Sequence, residues 1–557
     1  MKRIQRIIAV ILSIALVGSM SACGGPTVVE EVESDKTQIY VGILKGGIGL
    51  EWLNDAIEKF EEKYKDTSFE EGKNGVQVII GAADRAIMRN SNLVSNLSTL
   101  SLDVIFGESN TYAEWINKGL AMDITDIVTE KLDEYEEERS IADKLDASVR
   151  EGLTVEGKIY GLPYWEGTYG MIYNESLFDE KGWFMTADGG FTNLSGALGA
   201  GPDGKQGNYD DGLPATYDEF FKLCDKIVQD NCQPLQWAGK SAEYVAWLLG
   251  SLYADYEGRE GVQLNFDMDG MADLVKLDTI DVDTLAHEME QVAITENNGY
   301  ELARQEGWLY AVSFAERLAR NPKYYDANTC VSPSFTQQDA QLAFIKNSQT
   351  AGSKPVAILV DGTWWENESE NNFKETFGGD KYSAKDVYKW MPFPKATQEK
   401  VGTGNTYISP LDPYCFISAF TPENRVEAAK AFLQFCHTDE MMSHFTELTG
   451  IRKPYDYEVS TDSLTPFGKS VMEYSQNSDL IIQLGKSKIY NASSTAFSIA
   501  NLLISQYTAS DYSLNTIDVF RMTDAGGNYL YDISDFYKGM RTYRKETTWL
   551  GFSGMLK

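Results

Sequence analysis

Histidine is scarce in this chain, and basic residues are outnumbered by acidic ones. Its 557 residues include 3 histidines, and 49 Lys and Arg stand against 83 Asp and Glu, which gives a formal net charge of −34. Binding to nucleic acid or to anionic lipid requires basic patches, so this charge argues against both as partners. A strongly charged surface disfavours self-association, and we therefore expect a monomer.

Intact motifs for metal, nucleotide or nucleophilic chemistry are missing as well. A P-loop spacing ends at Gln206, where Ser or Thr would hold Mg²⁺, and a zinc-protease pattern that begins at His287 has Gln291 in place of the second histidine. A calcium-loop pattern that begins at Asn265 has Lys276 at the position of its final acid. The sequence thus predicts no cofactor, metal or catalytic site. A glycosidase stays open, because its carboxylates are set by geometry rather than by spacing.

The number of cysteines argues against a disulfide framework. Beyond Cys23, the chain has five cysteines, and an odd number cannot all pair. Cys224 and Cys436 lie in apolar stretches with helical character, which is typical of buried small hydrophobic residues. A bridge between Cys224 and Cys232 stays open at this stage.

Long apolar runs are absent apart from one near the start of the chain. Residues 7–17 are apolar except for Ser13 and follow Lys2, Arg3 and Arg6. A membrane-spanning helix requires about 20 apolar residues, so this run is too short to be one. A basic start and an apolar run of about 7–15 residues are typical of a secretory signal peptide. The sequence therefore predicts export from the cytoplasm.

Cys23 stands directly behind this run, after the small residues Ser21 and Ala22. The arrangement resembles the lipobox of bacterial lipoproteins, with Met20 where leucine is more usual. The resemblance implies cleavage before the cysteine, a lipid on its thiol, a tether over residues 23–38, and anchoring on the extracellular face of the cell membrane. The alternative is an ordinary signal peptide with an incidental cysteine.

Short apolar strands alternate with helices in the first part of the folded region. Residues 39–44, 76–80 and 103–107 are strand-like, whereas residues 50–64 and 112–120 have helical periodicity. This alternation predicts an α/β fold with an open sheet. Ligands of such sheets bind beyond the carboxyl ends of the strands, and the residues at these ends include Gly46, Gly47, Glu108 and Asn110.

The middle of the chain has a different pattern. Residues 187–213 are rich in Gly, Asp and Asn and predict a long surface loop. Thr216, followed three residues later by Glu219, predicts a capped helix that extends to residue 228. Long helical stretches are predicted from residue 245 to residue 318.

Several short phrases, in order, resemble one protein family. They are GKIYGLPY (157–164), IYNESLF (172–178), PATYDEF (214–220), VAILVDGTW (356–364), MPFP (391–394), AAKAFLQF (428–435) and TG (449–450). Together they resemble the extracellular solute-binding proteins of ABC importers, family 1, a carbohydrate-binding group that includes maltose-binding protein. In Gram-positive bacteria this family carries a lipobox.

The resemblance implies two α/β lobes, a ligand cleft between them, and a hinge that the chain crosses three times. The ligand that it implies is a carbohydrate, with an oligosaccharide expected, and the protein partner is an ABC transporter permease. The implied division is a signal peptide at 1–22, a first lobe at 39–163 and 409–448, a second lobe at 169–401 and 454–557, and crossings near 164–168, 402–408 and 449–453. The 187–213 loop and the segment after residue 450 look longer than the family requires, and either could cover the cleft.

The resemblance also implies ligand contacts. Trp364 corresponds to a sugar-stacking tryptophan, and Tyr164, Trp165 and Glu166 lie at the first crossing, where the family contacts sugar. Asn110 matches a position that binds hydroxyl groups. Further candidates are Gly46, Gly47, Asp361, Trp365, Trp237, Tyr414, Arg452 and Phe497.

Two other hypotheses remain at this stage. The same fold could bind a non-sugar solute, such as a phosphodiester or a polyamine. An anionic ligand would require more basic residues than Lys45 and Arg452, whereas a cationic ligand would suit the abundant acids better. The third hypothesis is a surface glycoside hydrolase.

Overall fold

The structure is a computed structural model of the 557-residue chain. It describes residues 32–108, 112–348, 350, 352–378, 386–410, 412–492, 499, 503, 508–509, 512–513 and 516–552. Cys23, Asn110 and Phe497, which the sequence analysis singled out, lie outside the described residues, as does the predicted signal peptide.

Strands and helices alternate along most of the described chain. The strands are β1 (Thr37–Ile43), β2 (Val76–Ala82), β3 (Val104–Phe106), β4 (Gly161–Pro163), β5 (Tyr169–Asn174), β6 (Phe184–Met185), β7 (Phe191–Thr192), β8 (Gln233–Gln236), β9 (Gly270–Val275), β10 (Met289–Ile294), β11 (Val356–Gly362), β12 (Tyr388–Met391), β13 (Asn405–Ser409), β14 (Tyr414–Ile417), β15 (Ser478–Ile482), β16 (Thr508–Ala509) and β17 (Tyr512–Ser513). The α-helices are Glu51–Lys63, Arg85–Met88, Asn90–Asn96, Tyr112–Asn117, Thr125–Thr129, Ile141–Lys144, Ala147–Leu153, Glu175–Lys181, Tyr217–Gln229, Ala242–Asp267, Glu306–Ala319, Ala327–Cys330, Gln337–Asn347, Trp365–Glu368, Glu370–Phe377, Glu423–Phe435, Asp439–Thr449, Pro466–Gln476, Lys488–Ala492, Thr516–Arg521, Ile533–Tyr543 and Leu550–Phe552. None of these helices is both long enough and apolar enough to cross a bilayer.

The first main sheet has the strand order β2-β1-β3-β14-β4. Strand β1 is parallel to β2 and β3, whereas β14 is antiparallel to β3 and β4. Ile39, Val41 and Ile43 of β1 are fully buried, as expected for a central strand that helices cover. The three strands predicted at the start of the chain are confirmed, and with them the α/β class. We call this sheet and the helices packed on it the first lobe.

The second main sheet has the order β12-β5-β11-β8. Strand β11 is fully buried along its length and is parallel to β8 and antiparallel to β5. The predicted helix cap is confirmed, because the Thr216 side chain accepts a hydrogen bond from the backbone N–H of Glu219. The Glu219 carboxylate accepts instead from the N–H of Ala215. We call this sheet and its helices the second lobe.

The chain passes between the two sheets in three segments. The first joins β4 to β5, and the second joins β12 to β14 and contains β13, which pairs in parallel with β15. The third follows helix Asp439–Thr449, which packs on helix Glu51–Lys63, and leads to helix Pro466–Gln476, which packs on β12. The proposed hinge motion stays a prediction.

One of the sequence-based expectations is wrong. A hairpin of β9 and β10 interrupts the region expected to be helical between residues 245 and 318. The alternation in β9, with Met271 and Asp273 exposed and Ala272 and Leu274 buried, is a strand pattern that was overlooked. All five cysteines among the described residues are free and buried. The expected burial of Cys224 and Cys436 is thus confirmed, and the alternative of a bridge between Cys224 and Cys232 is excluded.

The 187–213 loop lies beside the second passage between the lobes. The N–H of Gly402 donates to the carbonyl of Pro202, and Nδ2 of Asn405 donates to the hydroxyl of Tyr209. The loop is thus bonded to the segment before β13 and to the first residue of that strand. None of its residues lines the cavity described next.

Candidate ligand-binding cleft

A cavity of about 110 Å³ lies between the two lobes. It is located beyond the ends of β1, β3 and β11, where ligands of open α/β sheets bind. The first lobe contributes Leu44, Lys45, Gly46, Gly47, Arg85 and Glu108, the first passage contributes Trp165, and the second lobe contributes Tyr169, Ser241, Glu243, Tyr244, Gln337, Trp364 and Glu368. The structure therefore brings Gly46, Gly47, Trp165 and Trp364 together, all of which the sequence analysis proposed.

Gly47 allows the lobes to approach each other at this cavity, and Gly46 allows Glu108 to pack closely within the first lobe. A Cβ added to Gly47 would lie 2.5 Å from Cδ1 of Trp364, and one added to Gly46 would lie 2.7 Å from Oε1 of Glu108. Carbon atoms cannot approach so closely, so a side chain at residue 47 would push Trp364 and the second lobe away. The structure is thus a state in which the lobes already touch.

Four aromatic rings form the inner wall of the cavity. The ring of Trp364 stands at 90° to that of Tyr169, with centroids 4.7 Å apart, and at 80° to that of Trp165, with centroids 5.8 Å apart. Tyr244 in turn stands edge-on to Tyr169, at 5.2 Å. All four side chains are largely buried. Rings arranged in this way present both faces and edges to the cavity.

Carboxylates from both lobes accompany these rings. Oε1 of Glu108 is buried and has no hydrogen-bond partner in the part of the chain that the structure describes. Burial raises the pKa of Glu108 to about 7, the neighbouring Glu368 adds to the shift, and Arg85 opposes it. Glu108 therefore holds a free acceptor oxygen in the cavity wall.

On the second lobe, Gln341 links two acids. Its Nε2 donates to Oδ2 of Asp361 at 3.1 Å and to Oε2 of Glu368 at 2.8 Å. Burial is the main cause that raises the pKa of both carboxyls, and repulsion by Glu368 raises that of Asp361 further. Asp361 lies behind the cavity wall, where its Oδ1 also accepts from the N–H of Gly362. No group of three or more Asp, Glu, His or Cys side chains within the described ranges is arranged to hold a metal ion.

Four of the predicted aromatic contacts lie in the hydrophobic core and do not line the cavity. Trp365 packs against Phe344, Phe373, Tyr388 and Phe467. Tyr164 packs on Trp52 and Phe106, Trp237 packs on Tyr325, and Tyr414 packs on Tyr112. Each of the four is no more than 2% exposed, so this placement favours a packing role over ligand contact.

Glu166 and Arg452 connect the three passages between the lobes. The N–H of Glu166 donates to the carbonyl of Arg452 at 2.9 Å, and the hydroxyl of Tyr407 donates to Oε1 of Glu166 at 2.8 Å. Burial raises the pKa of Glu166, although Arg452 opposes the shift. Neither residue lines the cavity, and their bonds join the first passage to the other two.

Several cavity residues were missed by the sequence analysis. Tyr169, Ser241, Glu243, Tyr244, Gln337, Glu368 and Arg85 come from separate segments and match no motif. Only Glu368 carried a local signal, because it follows Trp364 by four residues and an α-helical turn places such positions on one face.

The defining sequence pattern of the bacterial extracellular solute-binding proteins matches residues 55–465 of this chain. The chain belongs to this family, as the phrases in its sequence suggested. No curated protein matches the chain by sequence.

Solved structures show the same fold. A chitin oligosaccharide binding protein is 16% identical with a TM-score of 0.53, and the match covers 92% of this chain and 99% of that protein. The apo form of RafE from Streptococcus pneumoniae is 16% identical with a TM-score of 0.54, over 92% of this chain and 100% of RafE. The GacH receptor of Streptomyces glaucescens, solved unliganded and with acarbose, is 14% identical with a TM-score of 0.53. The match covers 92% of this chain and 98% of the receptor.

Proposed function

We propose that this protein captures a carbohydrate ligand outside the cell and delivers it to an ABC transporter permease. The ligand that we propose is an oligosaccharide. The observation that carries the proposal is the interlobe cavity, which is lined by Trp165, Tyr169, Tyr244 and Trp364 and by Glu108, whose Oε1 has no partner among the described residues. Aromatic faces pack against the apolar C–H face of a pyranose, and carboxyl oxygens accept hydrogen bonds from its hydroxyl groups. The names of the similar structures, which include binders of chitin oligosaccharide and acarbose, support this ligand class.

The proposal includes a closing movement of the lobes. Binding sites for ligands of drug size usually have volumes of about 300–1,000 Å³, and the present cavity is smaller, at about 110 Å³. An oligosaccharide therefore requires the lobes to separate first, and it then holds them together by contacting both.

The proposal also includes the place of the protein in the cell. We infer that the protein is a monomer without enzymatic activity, and that a lipid on Cys23 holds it on the extracellular face of the cell membrane. The lipobox motif supports the lipid anchor, and the high negative charge supports the monomer. Membrane anchoring would keep the loaded protein close to the permease.

A thermal-shift screen with neutral and charged oligosaccharides tests the carbohydrate ligand. A ligand that binds the native state raises the melting temperature by mass action, and each hit is confirmed by calorimetric titration. The bound sugar should be recovered intact after incubation, whereas its cleavage would support the glycoside hydrolase instead. A complete panel without any stabilising sugar would contradict the proposal.

A further inference from the structure

The inner charged groups of the cavity are carboxylates, whereas its cations are exposed. Glu108 and Glu368 are carboxylates that are only partly exposed, Glu243 is exposed, and Asp361 stands behind Glu368 through their shared bond to Gln341. The cations are Lys45 and Arg85, and both side chains are exposed at the rim. The inner part of the cavity is therefore negative.

Closure of the lobes brings like charges together. Glu108 follows β3 of the first lobe, and Glu368 follows β11 of the second. Burial raises the pKa of both, and Arg85 is near enough to each of them to oppose that rise. Glu368 in turn raises the pKa of Glu108. Arg85 offsets this repulsion from the solvent side, but Oε1 of Glu108 keeps no partner within the described residues. A positive group inside the cavity would stabilise the closed state.

The aromatic rings of the cavity suit the same kind of group. Trp165, Tyr169, Tyr244 and Trp364 surround the cavity at steep angles to one another. The faces of such rings attract ammonium groups, and the attraction increases when the group is desolvated. Carboxylates and ring faces around one small cavity are thus complementary to a cation.

We propose that this cleft selects a saccharide that carries a protonated amino group, so that its ligand class is the amino sugars. The inference rests on the proposed carbohydrate function and narrows it. The pyranose ring packs on the aromatic wall, and the ammonium group lies between Glu108 and Glu368. A neutral sugar can donate hydrogen bonds to these acids, but it cannot cancel their charge, and an anionic sugar would add to the repulsion.

Calorimetric titration with two matched trisaccharides tests the inference. The glucosamine trimer carries amines, and the N-acetylglucosamine trimer has the same linkage without the charge. At pH 7 and low salt we expect the amine trimer to bind at least about 10-fold tighter, which corresponds to about 1.4 kcal/mol. The preference should decrease in high salt because the charges are screened.

The pH dependence gives a second readout. The preference should have a maximum, because the carboxylates become protonated in acid and the amine loses its proton in base. The charged groups that act on Glu108 are Arg85 and Glu368, and Lys45 and Glu243 line the same cavity. Burial raises the pKa of Tyr164 and Tyr169, and both are also near enough to Glu108 for it to add to that rise. The acetylated trimer has no amine to titrate, so its affinity should lack the alkaline decrease.

Two variants assign the effect to the cavity. Glu108→Gln removes one charge at nearly constant shape and should reduce the preference at least threefold. Glu62→Gln removes the same charge at an exposed position of helix Glu51–Lys63, and this variant should retain the preference for the amine trimer. A thermal melt of each variant establishes that it is folded.

The outcomes separate this inference from the proposed function. If the acetylated trimer or a neutral sugar binds as tightly as the amine trimer, the amino-sugar inference is overturned while the carbohydrate function stands. If no saccharide binds but a free polyamine such as spermidine does, both are overturned.

Discussion

At the scale of single residues, two neighbouring tryptophans have opposite placements. Trp364 lies on the cavity wall beside Gly47, whereas Trp365 is enclosed by Phe344, Phe373 and Tyr388. The helix Trp365–Glu368 begins between them, so their side chains leave the chain in different directions. The contribution of Trp364 to binding can therefore be tested without removing the core residue beside it.

Trp364→Ala should weaken carbohydrate binding by about 30-fold or more. The loss combines aromatic packing on the sugar with lost apolar burial, together about 2 kcal/mol or more. Titration with the sugar found in the screen measures it, and Phe420→Ala, at an exposed aromatic position away from the cavity, is the control. Unchanged affinity together with a loss of about 3–5 kcal/mol in stability would instead identify Trp364 as a core residue.

Glu108→Gln should raise the melting temperature at pH 8. The pKa of Glu108 is near 7 in the folded protein, above the ordinary 4.5, so the folded state binds a proton that the unfolded state releases between these values. The contribution of Glu108 to the free energy of unfolding therefore decreases as the pH rises from 4.5 to 7. In the Glu108→Gln variant the side chain does not titrate, so this loss of stability does not occur. Thermal melts of both proteins at several pH values measure the difference, which should shrink towards pH 4.5. A difference that stays constant with pH would contradict the assignment.

At the scale of structural elements, a buried ion pair fixes the second passage to the second lobe. Nζ of Lys395 donates to Oδ1 of Asp255 at 2.8 Å, to the carbonyl of Gly404 at 3.2 Å and to Oδ1 of Asn405 at 2.9 Å. Asp255 lies on helix Ala242–Asp267, and Asn405 begins β13. One side chain thus holds a long helix and a strand of the passage together.

Lys395→Met should destabilise the protein by about 3–5 kcal/mol, because it leaves the Asp255 carboxylate buried without its cation. Denaturant unfolding followed by fluorescence measures the change. Lys346→Met, which removes the exposed partner of Glu375, should cost no more than about 1 kcal/mol. Equal effects of the two variants would show that the buried pair does not stabilise the passage.

At the scale of the whole molecule, contact between the lobes is expected to depend on the ligand. Gly47 is the first-lobe residue that meets Trp364 of the second lobe, and the three passages are joined through Glu166. Passages bonded to one another can act as one hinge, which allows each lobe to move as a unit.

Gly47→Val should keep the lobes apart and weaken ligand binding. The added side chain would occupy the space of the Trp364 ring, where even a single Cβ comes within 2.5 Å. Small-angle scattering with saturating ligand should show a smaller radius of gyration for the unmodified protein and little change for the variant. Gly551→Val, in helix Leu550–Phe552 and at a glycine whose added Cβ meets nothing within 4 Å, is the control. An unchanged radius in the unmodified protein with a confirmed ligand would count against closure.

Cys23→Ser should release the protein from the membrane or leave its signal peptide uncleaved. The thiol is the proposed attachment point of the lipid, and serine lacks it. Membrane fractionation and labelling with a fatty-acid analogue measure the effect, with Cys232→Ser as the matched control. Retention and labelling that survive the substitution of Cys23 would leave an ordinary signal peptide as the better interpretation.

The sequence by itself determined the elements whose patterns are local. Apolar runs specified β1, β2 and β3, Thr216 specified a helix start, and the order of short phrases specified the family. Because strand and helix periodicities and caps depend on residues a few positions apart, they can be read without the fold. The same reasoning placed Gly46, Gly47 and Glu108 at strand ends, where the cavity is found.

Only the tertiary structure decided which side chains share the cleft. Arg85, Tyr169, Glu243 and Gln337 come from segments far apart in the chain, and no local pattern indicates that they meet. The same holds for Tyr164, Trp237 and Tyr414, whose aromatic character suits a sugar site and a core equally well. Burial depends on what packs against a side chain from elsewhere in the chain, and that is determined by the arrangement of the two lobes.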